Sequence, residues 1–514
     1  MAGRAQPVNP WVGIGAAIFV AALILGTLAS VALNAEGGGL SRADWAALRF
    51  TVIQAVLSAG LSCLLAIPVA RALARRRFAG RRALIALLGA PFILPVIVAI
   101  FGLLEIYGRA GLISWVLGLF GFEPIRIYRL HGVVLAHVFF NLPLATRLIL
   151  QAWQEVPAER FRLAATLGLD ARGMFRLIEL PMLRRILPGV FSVIFAVCLT
   201  SFAVALTLGG GPRATTIELA IYQAFTFDFD LGRAAWLGLI QLGLTAVAAY
   251  AALSLAREGE FGAGLDRVVR RWDGGSALLD TIVVTLAALF LILPMGAVVV
   301  SGLAGVMNIP PEVFRAAGVS LGVALASTIL LLILAVPMSA SVAAGRAKGV
   351  EIAGLLGLAA SPLVIGTGLF IAVRPFADPI AWALPVTALV NALMALPFAL
   401  RILVPAARNA VTRHGRLAVA LGLSKTGFFF RILVPSMRAQ IGFAAGLAAA
   451  LSMGDLGVIA LFASSDIATL PLQIFRLMGA YQMQAAAGAT LILLILSFGA
   501  FWAFDRGGRG HAEA

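Results

Sequence analysis

Few side chains in this 514-residue chain have the type and spacing that covalent chemistry requires. His131, His137, His414 and His511 show no ligand spacing, and Cys63 and Cys198 lie inside apolar runs, so no metal, cofactor or disulfide framework is expected. His131 and His137 flank the start of an apolar run and read as interface packing. Lys425-Thr426 follows Ser424 rather than a glycine loop, so no phosphate cradle surrounds it. Paired carboxylates and an activated serine are missing too, which makes an intramembrane enzyme the weakest reading. What remains is recognition. Polar side chains among apolar ones are functional candidates by default. Here they are Ser201 and Thr200, then Thr215, Glu218 and Tyr222, with Phe202 beside them; later come Ser452, Gly454, Asp455 and Thr469. Asp455 also reads as a cap after a helix break at Gly454.

A second set of residues is mechanical. Arg162-Leu-Ala-Ala-Thr-Leu-Gly168 is followed by Ile178-Glu-Leu-Pro181, and the pattern returns as Arg416-Leu-Ala-Val-Ala-Leu-Gly422 with Ile432-Leu-Val-Pro435. Both glycines and both prolines are separated by 254 residues. The register extends to Leu142-Pro143 with Leu396-Pro397, Arg147 with Arg401, and Ala214-Thr215 with Ala468-Thr469. Residues 157–167 form an amphipathic helix, with Phe161, Ala164, Ala165 and Leu167 near one face and Glu159, Arg160 and Arg162 around them. Gly168 and Gly422 stop their helices in the left-handed conformation. Asp170 and Ser424 cap the next helix, and Pro181 and Pro435 reset the backbone before the following span. Small Ala164, Ala165 and Ala418 allow close approach by a partner. Two copies imply two partner subunits or one twofold partner.

These segments must be held by elements suited to a bilayer. Hydrophobic residues make up 61% and charged residues 12% of the chain, with mean hydropathy +1.01. Soluble domains are about half apolar and about a quarter charged, so many spanning helices are expected. The net charge of +16 does not point to nucleic acid. Most of the 39 Lys and Arg fall at Arg4, 71–82, 147–185, 257–271, 346–348, 401–438 and 506–509, on one side of the bilayer. Twelve spans follow, near 11–33, 49–70, 84–107, 131–152, 188–208 and 234–255, then 278–302, 318–344, 351–373, 380–402, 439–462 and 487–504, with both termini inside. The first span is too long for a signal core and is read as uncleaved. Leu112–Phe120 reads as a short interfacial helix with Trp115 at the headgroups. Gly209–Gly211 permits a sharp turn, a hinge or a re-entrant segment. Residues 1–256 and 273–514 are the two halves, with coupling loops 153–181 and 405–435 and a linker at 257–272.

The repeated loop resembles the Glu-Ala-Ala loop of ABC importer permeases, whose pattern runs from Glu-Ala-Ala to a glycine and then to Ile-x-Leu-Pro. Arg162 and Arg416 stand where the family has Glu, and Leu163 and Leu417 where it has the first Ala. Ala164 and Ala418 keep the second. Two fused copies resemble the double-length permeases of the iron(III) and thiamine type. Segments 208–223 and 452–462 are similar to the thiamine importer permease.

The resemblance implies an all-α polytopic membrane protein of two six-helix, type I-like importer units with no ATPase site of its own. It implies a cytoplasmic ATPase homodimer on the two loops, a periplasmic binding protein, and an inner-membrane location. The substrate would be a small cation, thiamine or its phosphates, with iron(III) or a polyamine as alternatives. Asp455 or Glu218 would then favour the charge, and Phe202, Tyr222 or Phe225 would lie against the rings. An ion-coupled secondary transporter is the more distant reading; it would need a mid-membrane ionisable site, for which Asp455 is the one candidate.

Overall fold

The computed structural model describes residues 8–35, 40–211, 214–255, 277–345, 348–462 and 467–509. The expected linker 257–272 lies outside them. Among the described residues there is no strand. Eleven helices are long and apolar enough to span a membrane, or twelve if one bent pair counts as a single span.

The first half runs α1 (Trp11–Leu33), α2 (Arg42–Arg75), α3 (Arg81–Leu87), α4 (Val96–Tyr107), α5 (Leu112–Leu119), α6 (Leu130–Glu155), α7 (Ala158–Thr166), α8 (Ala171–Met174), α9 (Leu180–Leu199), α10 (Phe202–Leu208), α11 (Ile217–Thr226) and α12 (Leu231–Leu255). The second half runs α13 (Ala277–Gly305), α14 (Pro311–Ala343), α15 (Lys348–Ala359), α16 (Pro362–Val373), α17 (Ala383–Ala420), α18 (Lys425–Phe428), α19 (Val434–Ser436), α20 (Arg438–Met453), α21 (Gly457–Leu461), α22 (Leu470–Gly479) and α23 (Met483–Arg509).

Local chemistry explains where the helices depart from the expected spans. A capping box starts α2 early: Ser41 Oγ accepts from the Asp44 N–H, and the Asp44 carboxylate accepts from the Ser41 N–H. Prolines divide the third expected span. Pro91 and Pro95 interrupt it into α3, a 3₁₀ turn at Ala90–Phe92 and α4, because a proline lacks the N–H that a continuous helix needs. In the second half Ser361-Pro362 divides the matching span into α15 and α16, bent by 97°. Pro143 and Pro397, by contrast, sit inside the continuous helices α6 and α17.

The halves do not fold side by side as closed units. In each, the first helix packs on the other half: α1 lies against α14, α15 and α16, and α13 lies against α2 and α4 as well as its own α23. Glycines make both crossings close. A Cβ on Gly102 of α4 would sit 2.4 Å from the Pro294 carbonyl oxygen of α13, and one on Gly368 of α16 would sit 2.5 Å from the Thr27 carbonyl oxygen of α1. Each of the two large cores therefore mixes residues from both halves. Arg75 and Arg76 at the end of α2 both pair with Asp280 at the start of α13, fastening the second exchange on the arginine-rich face.

Candidate functional site

The repeated segments form matching helix–turn–helix knuckles. In the first, the Leu169 N–H donates to the Ala164 carbonyl and the Gly168 N–H to the Ala165 carbonyl, 3.0 Å each. In the second, the Leu423 N–H donates to Ala418 at 2.9 Å and the Gly422 N–H to Val419 at 3.0 Å. This is the Schellman closure, and it requires a left-handed residue after the helix. Gly168 has φ +67° and Gly422 φ +68°. Asp170 Oδ1 then accepts from the Gly173 N–H at 2.7 Å, and Ser424 Oγ from the Gly427 N–H at 3.0 Å, capping α8 and α18.

The faces of these helices differ from expectation in one respect. Ala164 and Ala418 are buried against the chain itself, Ala164 in a small cluster with Val156, Phe161 and Met174 and with Ile178 at its edge. Ala165 is half-buried, while Arg162 and Arg416 are exposed. Leu167, expected on the covered face, is 69% exposed, and Leu163 joins it at 62%. Their equivalents Leu417 and Leu421 are 60% and 71% exposed. Residues 161 and 164 point to the bundle, so residues 163 and 167, four apart, form a second stripe that points away. Each knuckle thus presents two bare leucines beside its glycine.

Beyond the caps, both copies widen into a π-helical turn, Phe175–Glu179 and Phe429–Leu433. Pro181 and Pro435 follow, both exposed. A proline ring in a regular helix collides with the carbonyl four residues back, and one extra residue in the turn relieves that collision. The prolines therefore shift the helix register rather than end the helix.

The knuckles are hung differently. Val156 and Pro157 take extended conformations and separate α6 from α7, as expected for a residue before proline. The equivalent of Pro157 is Val411, and α17 runs unbroken through it to Ala420. The expected loop at 405–435 is thus helical over its first half. In the first copy the break leaves a groove of about 480 Å³, lined by Pro157, Arg160, Ile178, Pro181, Met182 and Arg185 among others. Arg71 of α2 donates from Nε to Glu179 Oε2 at 2.7 Å, with Glu179 fully buried, and its guanidinium lies 5.3 Å from the Phe175 ring centre. The second copy has Leu433 in place of Glu179.

A second matching feature lies within the bilayer. The expected continuous spans 188–208 and 439–462 are both broken, at Thr200-Ser201 between α9 and α10 and at Gly454–Leu456 between α20 and α21. Ser201 and Asp455 are equivalents. At the first break, Ser58 Oγ is 3.1 Å from His137 Nδ1, and Ser201 Oγ is 2.7 Å from His137 Nε2. At the second, Ser327 Oγ and Asn391 Nδ2 lie 2.9 and 3.0 Å from Ser452 Oγ. Asn391 is the equivalent of His137, and Ser452 of Cys198. The buried bridge made by His137 corrects its reading as interface packing, whereas His131 is exposed and meets the Arg126 carbonyl. Sequence reasoning missed Ser58, Asn391 and Ser327. The signal available was the fixed offset, which pairs His137 with Asn391.

Asp455 does cap: its Oδ1 accepts from the Gly457 N–H at 3.1 Å. Its Oδ2 is buried and makes no hydrogen bond of ordinary geometry among the described residues, with the Asn391 amide and the Val458 and Ile459 N–H groups close by. Gly454 presses on Pro95 of the first half, where a Cβ would lie 3.0 Å from Pro95 Cα. A Cβ on Gly457 would lie 3.7 Å from both Asp455 Oδ1 and the Phe202 ring. The two breaks therefore meet. Equivalent elements in contact mark the axis along which the two repeats face each other.

The remaining candidates lie on α11 and α22. The glycine run makes a turn, with φ +71° at Gly210 and +116° at Gly211. The Ile217 N–H then donates to Thr51 Oγ1, two turns deeper in α2 than Asp44, which pairs with Arg233 at the start of α12. So α11 begins about 10 Å inside the helix end and climbs back out. Leu470 of α22 is fixed in the same way to Ser320 Oγ at 2.7 Å. Tyr222 packs edge-on to Phe202 at 5.2 Å and lies within electrostatic reach of its own equivalent, Arg476. Glu218 is not brought to the axis. It is fully buried against α12, accepting from Gln241 Nε2, which also donates to the Leu199 carbonyl behind the first break. Thr215 is half-buried near Gly211, and Thr469 is buried before α22.

An all-helical membrane chain of two repeats, with matched knuckles on one face and matched helix breaks on its axis, has the build of a transport permease. No family model matches it. It is 41% identical over 532 residues to the thiamine transport system permease protein ThiP of Brucella abortus (strain 2308), across 99% of this chain and 97% of that protein. It is 38% identical to the protein of that name from Salmonella typhimurium over the full length of both, and 38% identical to that of Escherichia coli K12 over 98% of both. The chain belongs to this family of thiamine transport system permease proteins. It is a multi-pass inner-membrane transport subunit, not an enzyme.

Proposed function

We propose that this chain forms the whole translocation pore of an ATP-driven importer that moves thiamine, or its phosphates, across the inner membrane. A cytoplasmic ATPase homodimer grips the two knuckles, and a periplasmic binding protein delivers substrate to the opposite face, with both termini in the cytoplasm. The contact residues are Arg162, Ala165, Gly168, Asp170, Ile178 and Pro181 with Arg416, Gly422, Ser424, Ile432 and Pro435, joined by Leu163, Leu167, Leu417 and Leu421. Ala164 and Ala418 set the knuckles on the bundle.

The observation that carries this reading is the pair of bare leucines repeated beside each left-handed glycine. Two such patches at equivalent places fit a twofold partner. Closure of that partner would draw the knuckles together and turn the halves about their axis. Substrate would pass the breaks at Ser201 and Phe202 and at Gly454 and Asp455, under Tyr222, with Thr215, Glu218 and Thr469 behind them. The test is co-expression with the partner ATPase and uptake of labelled thiamine by proteoliposomes holding the complete system. ATP-dependent uptake is expected. Uptake that survives ATP depletion but collapses with the proton gradient would overturn the reading.

A further inference from the structure

The two helix breaks carry the same lattice of positions but different chemistry. His137 in one half is Asn391 in the other, and Ser201 in one is Asp455 in the other. Among these four equivalent positions the carboxylate is therefore on one wall and the imidazole on the opposite wall. Asp455 Oδ2 is buried and makes no hydrogen bond of ordinary geometry, although Oδ1 is satisfied by its cap and the Asn391 amide and the Val458 and Ile459 N–H groups lie close to the carboxylate. These neutral donors meet only part of the charge of an anion held away from water, and a positive partner would meet the rest. Across the axis, the ring of Phe202 closes over Gly457, and Tyr222 packs on Phe202. Ser201, next to Phe202, is held by His137.

We propose that the meeting breaks form a transient site for an organic cation with a planar ring, in which Asp455 takes the charge, Phe202 takes the ring, and Ser201, positioned by His137, hydrogen-bonds the polar end. In the closed state, Phe202 fills the space the ring would take. When the halves part, the carboxylate oxygen and the Ser201 hydroxyl come free together. Asn391 and Ser452 hold the opposite helix in place but carry no charge. This inference rests on the importer reading above.

The test separates the charge from the cap. Asp455→Asn keeps an oxygen for the Gly457 N–H and removes the charge, since Asn caps as well as Asp. In proteoliposomes holding the full chain, its ATPase and its binding protein, labelled thiamine uptake by D455N should fall at least about tenfold, with ATP hydrolysis stimulated by loaded binding protein changed less than about twofold. His137→Asn, which copies the other half, should raise the KM for uptake by roughly threefold to tenfold with the same hydrolysis. Two results would overturn the proposal. One is D455N transporting at the unmodified rate; the other is uptake and hydrolysis falling together, which marks Asp455 as structural. If the unmodified system fails to take up thiamine at all, the importer reading itself is wrong.

Discussion

Pro157 and Val411 stand at the same place in the two repeats, yet one ends a helix and the other lies inside one. The proline parts α6 from α7. The valine lets α17 continue from Ala383 to Ala420. One knuckle is jointed to its span, and the other is a rigid extension of it.

Exchanging these residues tests the joint. Val411→Pro should kink α17 and cost about 3 kcal/mol or more, seen as a lower thermal midpoint of the purified protein. Pro157→Val should be close to neutral for stability but should lower transport per ATP hydrolysed. A Pro157→Val protein with unchanged coupling would show that the joint is irrelevant to transmission.

The glycines that close the knuckles need only their backbone conformation. A Cβ at Gly168 or Gly422 meets nothing within 4 Å, so replacement is resisted by φ alone. Alanine at either position should cost about 1–2 kcal/mol, and asparagine less. Bulky residues at both positions together should abolish co-purification of the ATPase while the permease stays in the membrane. An ATPase that still binds, with transport intact, would remove the knuckles from the coupling path.

The exposed leucines are separable from folding. Leu167→Asp with Leu421→Asp should shift thermal stability by less than about 0.5 kcal/mol, because neither side chain is covered. The same pair should strip the ATPase from the complex, measured by pull-down. Retention of the ATPase would sink the assigned docking face.

Arg71 and Glu179 tie the first knuckle to α2. Glu179→Ala leaves Arg71 without this buried carboxylate and should cost about 3 kcal/mol. Glu179→Leu with Arg71→Leu, which gives the site the Leu433-like character of the second half, should recover most of it. Thermal unfolding of the single and double variants decides this, and additive losses would mean the two residues act independently.

The helix exchange depends on close backbone contact. Gly102→Val and Gly368→Val would each drive a side chain into a carbonyl of the crossing helix. Each should reduce the yield of folded protein in mild detergent and lower its thermal midpoint, with a loss of at least about 2 kcal/mol. A Gly102→Val protein of normal stability would show that the crossing is looser than described.

Much of this was legible in the residues. Apolar runs set the spans, and the repeat located both knuckles with their left-handed glycines and caps, because those are local events fixed by a few neighbouring side chains. The break at Thr200-Ser201 was not legible, and the one at Gly454 was legible only through the reading of Asp455 as a cap. No proline marks them, and what holds them open is a contact between elements far apart in sequence, such as Gly454 on Pro95. His137 was misread for the same reason: its partners Ser58 and Ser201 lie on other helices. The exchange of α1 and α13 leaves no trace in hydropathy, since lipid and protein are equally apolar neighbours. The direction of Leu167 failed because one helix carried two apolar stripes, and only packing chooses between them.

The exchange of first helices also constrains how the molecule is made. The ribosome releases α1 long before α14 and α16, against which Val20, Ile24 and Val31 are finally covered. At ordinary synthesis rates that wait is on the order of tens of seconds. During it, α1 has only the α12 of its own half to lie on and otherwise faces lipid, which its almost uninterrupted aliphatic surface permits. The nascent protein can therefore finish covering α1 only after most of the second half has emerged, and a chain truncated at the linker would leave α1 with α12 alone as its seat.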